Sequence, residues 1–193
     1  MARISFFRRA AGNDGVFGQR LCIKDGCQHV LAGAADEMEN ELYNINTRLN
    51  NQNLHLGCGA SFFILSAENN DSPSINLVDV GSFGLIDEEV EVITDFLDLN
   101  NLSANEVDLV LYSSSNQNTL EALNAVFCHS ELFDYQQISG TYFTNSAFAM
   151  HYGIDILLQG KPTFLGKKIR RVLICNNLIP ENLGLILIDA NIG

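Results

Sequence analysis

Lysine and arginine are scarce in this sequence. There are 11 of them against 23 aspartates and glutamates in 193 residues, which gives a formal net charge of −12. Binding to nucleic-acid phosphates or to anionic lipids needs clustered cations, so this balance argues against both partners. Long apolar runs are also missing, and none approaches the ~20 residues that cross a bilayer. The sequence therefore predicts neither a nucleic-acid-binding protein nor a membrane protein.

A disulfide framework is not indicated either. The cysteines are odd in number and scattered, which is typical of reduced thiols in a cytoplasmic protein. They are Cys22, Cys27, Cys58, Cys128 and Cys175. The N-terminal ISFF is too short for the apolar core of a secretory signal. We expect residues 1–16 to be poorly integrated into the fold.

Motifs for phosphate, thiol-redox and zinc chemistry are lacking. The sequence has no Gly-rich phosphate loop, no CxxC pair and no HExxH. Its four histidines are dispersed, and none has a neighbour at ligand spacing, so neither a metal nor a cofactor is expected. Glu37, Glu39 and Glu41 are interpreted as the solvated face of a helix, with a metal or acid/base pair as the minority alternative.

Strand-like and helix-like apolar periods alternate along the chain. Apolar residues make up 47% of it, enough for one sizeable core. The alternation predicts an α/β fold that ends in an antiparallel pair of strands. The expected helices span 37–49, 87–99, 117–127 and 144–159. The expected strands are QHVLAGA from residue 28, GASFFILSA from 59, INLVDVGSF from 75, VDLVLYS from 107, RRVLICNN from 170 and LGLILIDA from 183. The stripes expected to be buried are Val90–Ile93–Leu97 and Ala147–Met150–Ile154–Leu157.

Several strings, taken in order, resemble the β-ketoacyl synthases, which are condensing enzymes of the thiolase-like superfamily. The family strand DxVLxGGADE is matched by DGCQHVLAGAADEM, and the family strand GEGAAxLVLE by GCGASFFILSAE. The TGH turn with its long helix is matched by QQISGTYFTNSAFAMHYGIDILLQG. The closing strands are matched by VLICNNLIPENLGLILIDA. Each string is weak alone, and the resemblance rests on their order over roughly residues 17–190.

The resemblance implies a thiolase-like layered α/β fold. This chain would hold one complete C-terminal half of that fold and the tail of the N-terminal half. Residues 1–16 would be a poorly matched segment, residues 17–68 a remnant of the N-terminal half, and residues 69–193 the C-terminal half as one compact unit. The strings ADEM and TxSAFA are most similar to ketosynthase-like proteins of bacterial pigment and polyene clusters.

The resemblance also implies that the catalytic groups of the family are replaced here. Ser113 and Thr141 stand where the family has its two histidines, and Gln136 stands near its lysine. The nucleophilic cysteine would fall near Arg9, in the unmatched segment. Condensation needs a thiolate to carry the acyl group and donors for the thioester oxyanion. Serine and threonine cannot accept a proton near pH 7 or become cations, so no catalytic residue is expected.

Three functional interpretations follow from the resemblance. The leading one is a truncated ketosynthase homologue without condensing activity, which acts as a partner in fatty-acid, polyketide or aryl-polyene-type pigment synthesis, as chain-length factors do. The second is an acyl-transferring or condensing enzyme whose missing thiol comes from a partner chain. The third is a decayed remnant that still folds. Whether any activity remains, the substrate length, the pathway and the partner are left open.

Two groups of polar residues are candidates for binding. The first would form a small polar pocket, although the same residues fit ordinary helix starts. It consists of Ser113, Asn116, Thr141, Thr144 and Asn145. The second is a basic patch that would suit an acidic acyl carrier protein. It consists of Lys161, Lys167, Lys168, Arg170 and Arg171.

Association is the first testable expectation. The surface that the absent half would cover should be apolar, and helix 144–159 is the element expected to be bare. We predict a two-fold homodimer, or a heteromer with an intact ketosynthase, that buries well over ~1,000 Å². Light scattering across micromolar dilution should show the complex. A stable monomer that binds no ketosynthase would contradict this expectation.

Overall fold

The structure is a computed structural model. It describes residues 25–37, 56–67, 75–114, 117–160, 166, 168–178 and 182–190. The helix expected over 37–49, apart from its first residue, lies outside these ranges, and so do residues 1–16. Asn116, Lys161 and Lys167 also lie outside them. Among the described residues, no helix is both long and apolar enough to cross a bilayer.

The order of strands and helices follows the sequence periodicity. The strands are β1 His29–Asp36, β2 Gly59–Ser66, β3 Ile75–Gly84, β4 Leu109–Ser114, β5 Glu131–Asp134, β6 Arg171–Asn177 and β7 Asn182–Ala190. The helices are α1 Glu89–Leu99, α2 Gln117–Val126, α3 Gln136–Ser139 and α4 Asn145–Gln159, with a 3-10 turn at Ala104–Glu106. The six predicted strands and the helices predicted over 87–99, 117–127 and 144–159 are confirmed. Strand β5 and the short helix α3 were not predicted.

Two sheets organise the described residues. One has five strands in the order β3-β7-β6-β4-β5. In it β4 runs parallel to β5 and β6, and β7 runs antiparallel to β6 and β3. The closing antiparallel pair is therefore confirmed, with Cys175 opposite Leu185. The other sheet is the antiparallel pair β1-β2, in which Leu31 lies opposite Ile64.

Strand β6 divides the interior into two cores, because alternate side chains of a strand point to opposite faces. Val172 and Ile174 pack with Met150 of α4. Leu173 and Cys175 belong to the other cluster, together with residues of α1 and α2. Helix α4 also contacts β2. The layers are thus the two-stranded sheet, α4, the five-stranded sheet, and the pair α1 and α2, as the predicted layered α/β fold requires.

The expectation that helix 144–159 is bare is wrong. Ala147, Met150 and Leu157 are buried, and Ile154 is half-buried. The reason is that α4 lies between two sheets and is covered on both sides. Much of the bare apolar surface lies instead on the outer face of the two-stranded sheet, where Ile64 is 76% exposed.

The buried stripe of α1 also differs from the prediction. Ile93 and Leu97 are buried as expected, but Val90 in the first turn is 41% exposed. Phe96 takes part in the buried face instead, and its ring meets that of Phe83 edge-on at 6.3 Å. The stripe is therefore shifted toward the C-terminal end of the helix.

Glycine at position 153 sets how closely α4 approaches the five-stranded sheet. A Cβ atom there would lie 3.1 Å from Ile188 Cδ1 and 3.5 Å from both Leu111 Cδ1 and Val172 Cγ1. A larger side chain would push the helix away from β4, β6 and β7. The separation of these two layers therefore depends on this residue.

Replacing Gly153 by valine should overpack this contact. We expect the free energy of unfolding to fall by about 1–3 kcal/mol, measured by urea denaturation. Leu158→Val is the matched control, because it places the same β-branched residue on an exposed position of α4 and should change stability by about 0.5 kcal/mol or less. Equal stability of the two variants would show that α4 does not approach the sheet this closely.

Candidate functional site

Buried polar side chains gather where β4 and β6 end. The two strands are parallel, so their C-terminal ends lie at the same edge of the sheet, and Ser113 lies opposite Asn176. Tyr135, Asn145 and Asn177 are also buried there or in the segments that contact it. Polar groups away from water require hydrogen-bond partners. The hydrogen bonds made by this polar cluster of side chains therefore determine which polar atoms remain available to bind a ligand.

One network joins β4, α3 and α4. Gln136 Nε2 donates to Ser113 Oγ at 2.6 Å. Tyr135 Oη donates to Asn145 Oδ1 at 3.4 Å, and Asn145 Nδ2 donates to the Gly140 carbonyl at 3.4 Å. Tyr135 also shares a hydrogen bond with Ser113, so two of the predicted pocket residues, Ser113 and Asn145, belong to one network. Tyr135, which the sequence did not indicate, lies between them.

Strand β5 and helix α3 place Tyr135 and Gln136 in this network. The Gln136 backbone N–H donates to Asp134 Oδ1 at 3.0 Å, which fixes the turn from β5 into α3. The Tyr135 N–H donates to the Tyr112 carbonyl at 3.1 Å, which ties the same turn to β4. The unpredicted elements are thus the ones that bring Gln136 to Ser113.

Thr141 and Thr144 lie on the segment between α3 and α4. The Thr141 carbonyl accepts from the Gly57 N–H at 3.1 Å, and Thr141 is bridged to Leu56, so it lies beside the start of β2. Thr144 is the N-cap residue of α4, but its side chain makes no capping bond. Its Oγ1 is buried without a partner among the described atoms. The described pocket residues therefore lie in two places, at the C-terminal end of β4 and at the N-terminus of α4.

Glu89 forms a second network that the sequence did not reveal. Its Oε1 accepts from Thr119 Oγ1 at 2.7 Å and from Asn177 Nδ2 at 3.1 Å. The bonds join α1, α2 and β6 just beyond the polar cluster. From the sequence alone, the acidic residues at the start of α1 are explained by the favourable interaction of their charge with the positive end of the helix dipole. The second role of Glu89 depends on residues 30 and 88 positions away, so no local pattern contains it.

Burial raises the pKa of three titratable groups near the polar cluster. It raises the pKa of the Cys175 thiol to about 12, and the Glu89 charge adds to this effect. It also raises the pKa of Tyr135 well above its ordinary value, although the hydrogen bond with Ser113 opposes the shift. Desolvation raises the pKa of the half-buried Asp134, against the bond from the Gln136 backbone. Neither this thiol nor this phenol ionises near neutral pH.

The described residues of the basic patch, Lys168, Arg170 and Arg171, lie at the other end of strand β6 from the polar cluster. Lys168 and Arg170 are exposed there. Arg171 is paired with Asp189 at 3.4 Å and with Glu106 at 3.8 Å, so its charge is largely balanced. Strand β6 runs from Arg171 to Asn177, a distance of about 20 Å. The described residues of the basic patch and the polar cluster therefore lie at opposite ends of β6.

Metal binding receives no support from the described part of the chain. It contains no group of three or more histidine, cysteine, aspartate or glutamate residues placed to hold an ion. The polar cluster offers amides and hydroxyls, which are donors and acceptors for a neutral polar ligand.

Comparison with solved structures identifies the fold. The ishigamide ketosynthase/chain length factor matches 96% of this chain at a TM-score of 0.76 with 16% identity. The ketosynthase ApeO in complex with its chain length factor ApeC from Xenorhabdus doucetiae matches 94% at 0.77 with 14% identity. A β-ketoacyl synthase from Burkholderia phymatum matches 93% at 0.72 with 13% identity. No protein-family model and no curated protein matches the sequence.

These similarities establish the fold of the chain as that of the thiolase-like ketosynthases. They cover 55%, 58% and 59% of the three solved chains. This chain therefore spans a little over half the length of the proteins it resembles. At such low identity the likeness concerns the fold alone, and residue roles need separate arguments.

Removing the Glu89 carboxylate should destabilise the junction of α1, α2 and β6. Glu89→Ala takes the acceptor from the buried Thr119 hydroxyl, and the expected loss is about 1–3 kcal/mol of unfolding free energy. Glu91→Ala is the control, because it removes a charge from the same first turn of α1 and so affects the helix dipole similarly. Denaturant curves that shift equally for both variants would contradict a specific role for Glu89.

Proposed function

We propose that this chain is a cytoplasmic ketosynthase homologue without condensing activity. It acts as the partner of an intact ketosynthase in the synthesis of a fatty acid, a polyketide or an aryl-polyene-type pigment. The observation that carries the proposal is the bond between Gln136 and Ser113. By the sequence resemblance, these residues stand at the lysine position and at one histidine position of the condensing enzymes.

The pairing of these two residues gives a buried hydroxyl its hydrogen-bond partner. Ser113 is fully buried, and an unpaired hydroxyl there would cost about 1–3 kcal/mol. The Gln136 amide meets it at 2.6 Å. Two side chains that satisfy each other's hydrogen bonds therefore keep this part of the core stable without a catalytic group.

The chemistry of the replacements supports the absence of condensation. Serine, threonine and glutamine donate and accept hydrogen bonds, but they do not exchange a proton near pH 7. Condensation requires a thiolate nucleophile. The thiol of β6 beside this cluster, Cys175, is buried with a pKa of about 12, so it is neither accessible nor ionised. Cys58, next to the Gly57 that bonds Thr141, is exposed and is the thiol that the acylation test below examines most directly.

The descriptions of similar structures support a partner role. Two of them are ketosynthases described together with chain length factors, and this chain spans just over half of either solved chain. The exposed apolar residues on the outer face of the two-stranded sheet, such as Ile64, fit a subunit that works in a complex. We extend the partner role from those proteins to this one on these grounds.

A contact with an acyl carrier protein is a secondary part of the proposal. The exposed Lys168 and Arg170, together with Lys161 and Lys167, would meet the acidic surface of a carrier. Arg171 would contribute less, because Asp189 and Glu106 already pair with it. The described residues of the patch lie at the end of the sheet opposite Ser113, so such a contact would serve assembly and not delivery of an acyl chain to the polar cluster.

The proposal predicts that the purified protein does not acylate itself. After incubation with an acyl thioester or malonyl carrier protein, intact-mass spectrometry should show no adduct on any of the five cysteines and no decarboxylation. An intact ketosynthase treated in parallel should show both, which verifies the reagents. A stoichiometric adduct on any cysteine would refute the non-condensing assignment and favour an enzyme.

A further inference from the structure

The start of helix α4 carries two buried hydroxyls that have no partner among the described atoms. Ser146, the second residue of the helix, is fully buried, and its Oγ makes no hydrogen bond. The buried Oγ1 of Thr144, the N-cap residue, makes none either. Asn145 lies between them in the chain, and its side chain is bonded to Tyr135 and to the Gly140 carbonyl. The amide at this helix start is therefore satisfied, whereas both hydroxyls are not.

Neither hydroxyl uses the bond that its position in a helix normally offers. An N-cap threonine normally accepts from the N–H of the second or third helical residue, but the Ala147 N–H donates to the Thr144 carbonyl at 3.0 Å. A serine inside a helix often donates to the carbonyl four residues earlier, which for Ser146 is that of Tyr142. That carbonyl accepts from the Asn145 N–H at 3.2 Å, and Ser146 Oγ makes no bond to it.

Alanine at position 146 would make the isolated chain more stable. Alanine is the strongest helix former, and it already occupies the buried positions 147 and 149 of the same helix. It would also leave no unpaired hydroxyl in the interior. A residue that breaks a local rule of stability without a compensating contact is expected at a functional site. Ser146 is such a residue.

The Ser146 hydroxyl lies among donors at the N-terminus of the helix. The Cα–Cβ bonds of a helix tilt toward its N-terminus, where the first N–H groups have no partner within the helix. The Ser146 N–H is one of these groups, because it makes no bond to a described carbonyl. The N–H and the hydroxyl of Ser146, together with the hydroxyl of Thr144, can therefore donate to an acceptor atom placed before the first turn.

The charges around this turn favour an uncharged ligand. The N-terminus of a helix carries a partial positive charge, which disfavours a cation, and the first turn of α4 contains no acidic residue that would offset it. Asp36 Oδ2, at the end of β1, accepts from the Phe143 N–H at 2.9 Å. This bond places a carboxylate beside the same turn, and its charge disfavours an anion. An oxygen acceptor on a neutral molecule meets both conditions.

We propose that the N-terminus of α4 binds the carbonyl oxygen of a small uncharged ligand, such as an amide or an ester. The oxygen accepts from the N–H and the hydroxyl of Ser146 and from the hydroxyl of Thr144. Phe143, the residue before this turn, is 65% exposed, so the site lies close to the protein surface. The inference goes beyond the proposed function, which concerns a partner chain and requires no ligand at this position.

Two serine-to-alanine variants test the proposal, because they should change stability in opposite directions. Ser146→Ala removes an unpaired buried hydroxyl, so the unfolding equilibrium constant measured in urea should fall about fivefold or more. Ser130→Ala is the matched control. The Ser130 hydroxyl donates to the Val107 carbonyl at 2.6 Å, so this variant should unfold more readily than wild type.

Binding is measured by NMR on the isotopically labelled full chain, with four probes of similar size. N-methylacetamide and methyl acetate are the neutral probes, and acetate and methylammonium are the charged ones. We expect the neutral probes to shift the amide signal of Ser146 in a saturable way and the charged probes to leave it unchanged. Their affinity should fall about three- to tenfold in Ser146→Ala and stay at the wild-type value in Ser130→Ala.

Three results would overturn the proposal. A Ser146→Ala variant no more stable than wild type would show that the hydroxyl already has a partner in the isolated chain, such as a buried water. Binding of acetate in place of the neutral probes would show an anion site. Neutral probes that bind nowhere near Ser146, or equally well to Ser146→Ala, would exclude a carbonyl site. Each result is independent of the acylation test, so the proposed function stands or fails separately.

Discussion

The structure depends on strand β6, which is buried on both faces between β4 and β7. Its side chains alternate between the core under α4 and the core under α1 and α2, so a single strand supports both halves of the interior. Its C-terminal residues, Asn176 and Asn177, end at the polar cluster. A shift of β6 by one residue would exchange the two cores and move the asparagines away from Ser113.

Long periodic segments were predictable from the sequence, because burial on one or both faces leaves a clear pattern. Strands β6 and β7 and helix α4 are examples. Strand β5 was missed because it has four half-buried residues with a charge at each end, which resembles a loop. The position of α4 between two sheets was missed because periodicity shows which face of a helix is buried but not how many layers cover it.

The candidate site was only partly predictable, and for a different reason. Ser113, Gln136 and Thr141 came from resemblance to a family, and the structure places Gln136 against Ser113. Tyr135 and Glu89 were missed because their partners are distant in the sequence, at Asn145 in α4 and at Thr119 and Asn177 in α2 and β6. Hydrogen bonds between distant elements produce no regular spacing in the sequence, whereas packing of an apolar face produces a periodic pattern of apolar residues.

The bond between Gln136 and Ser113 has a consequence for substitutions at these two positions. A lysine alone at position 136 would bring a cation to the buried Ser113 hydroxyl, which cannot balance the charge. A histidine alone at position 113 would need the space that the Gln136 amide occupies, because the two side chains are already in contact. Replacing both residues together should therefore cost less stability than the sum of the two single replacements, as expected for residues that share one contact.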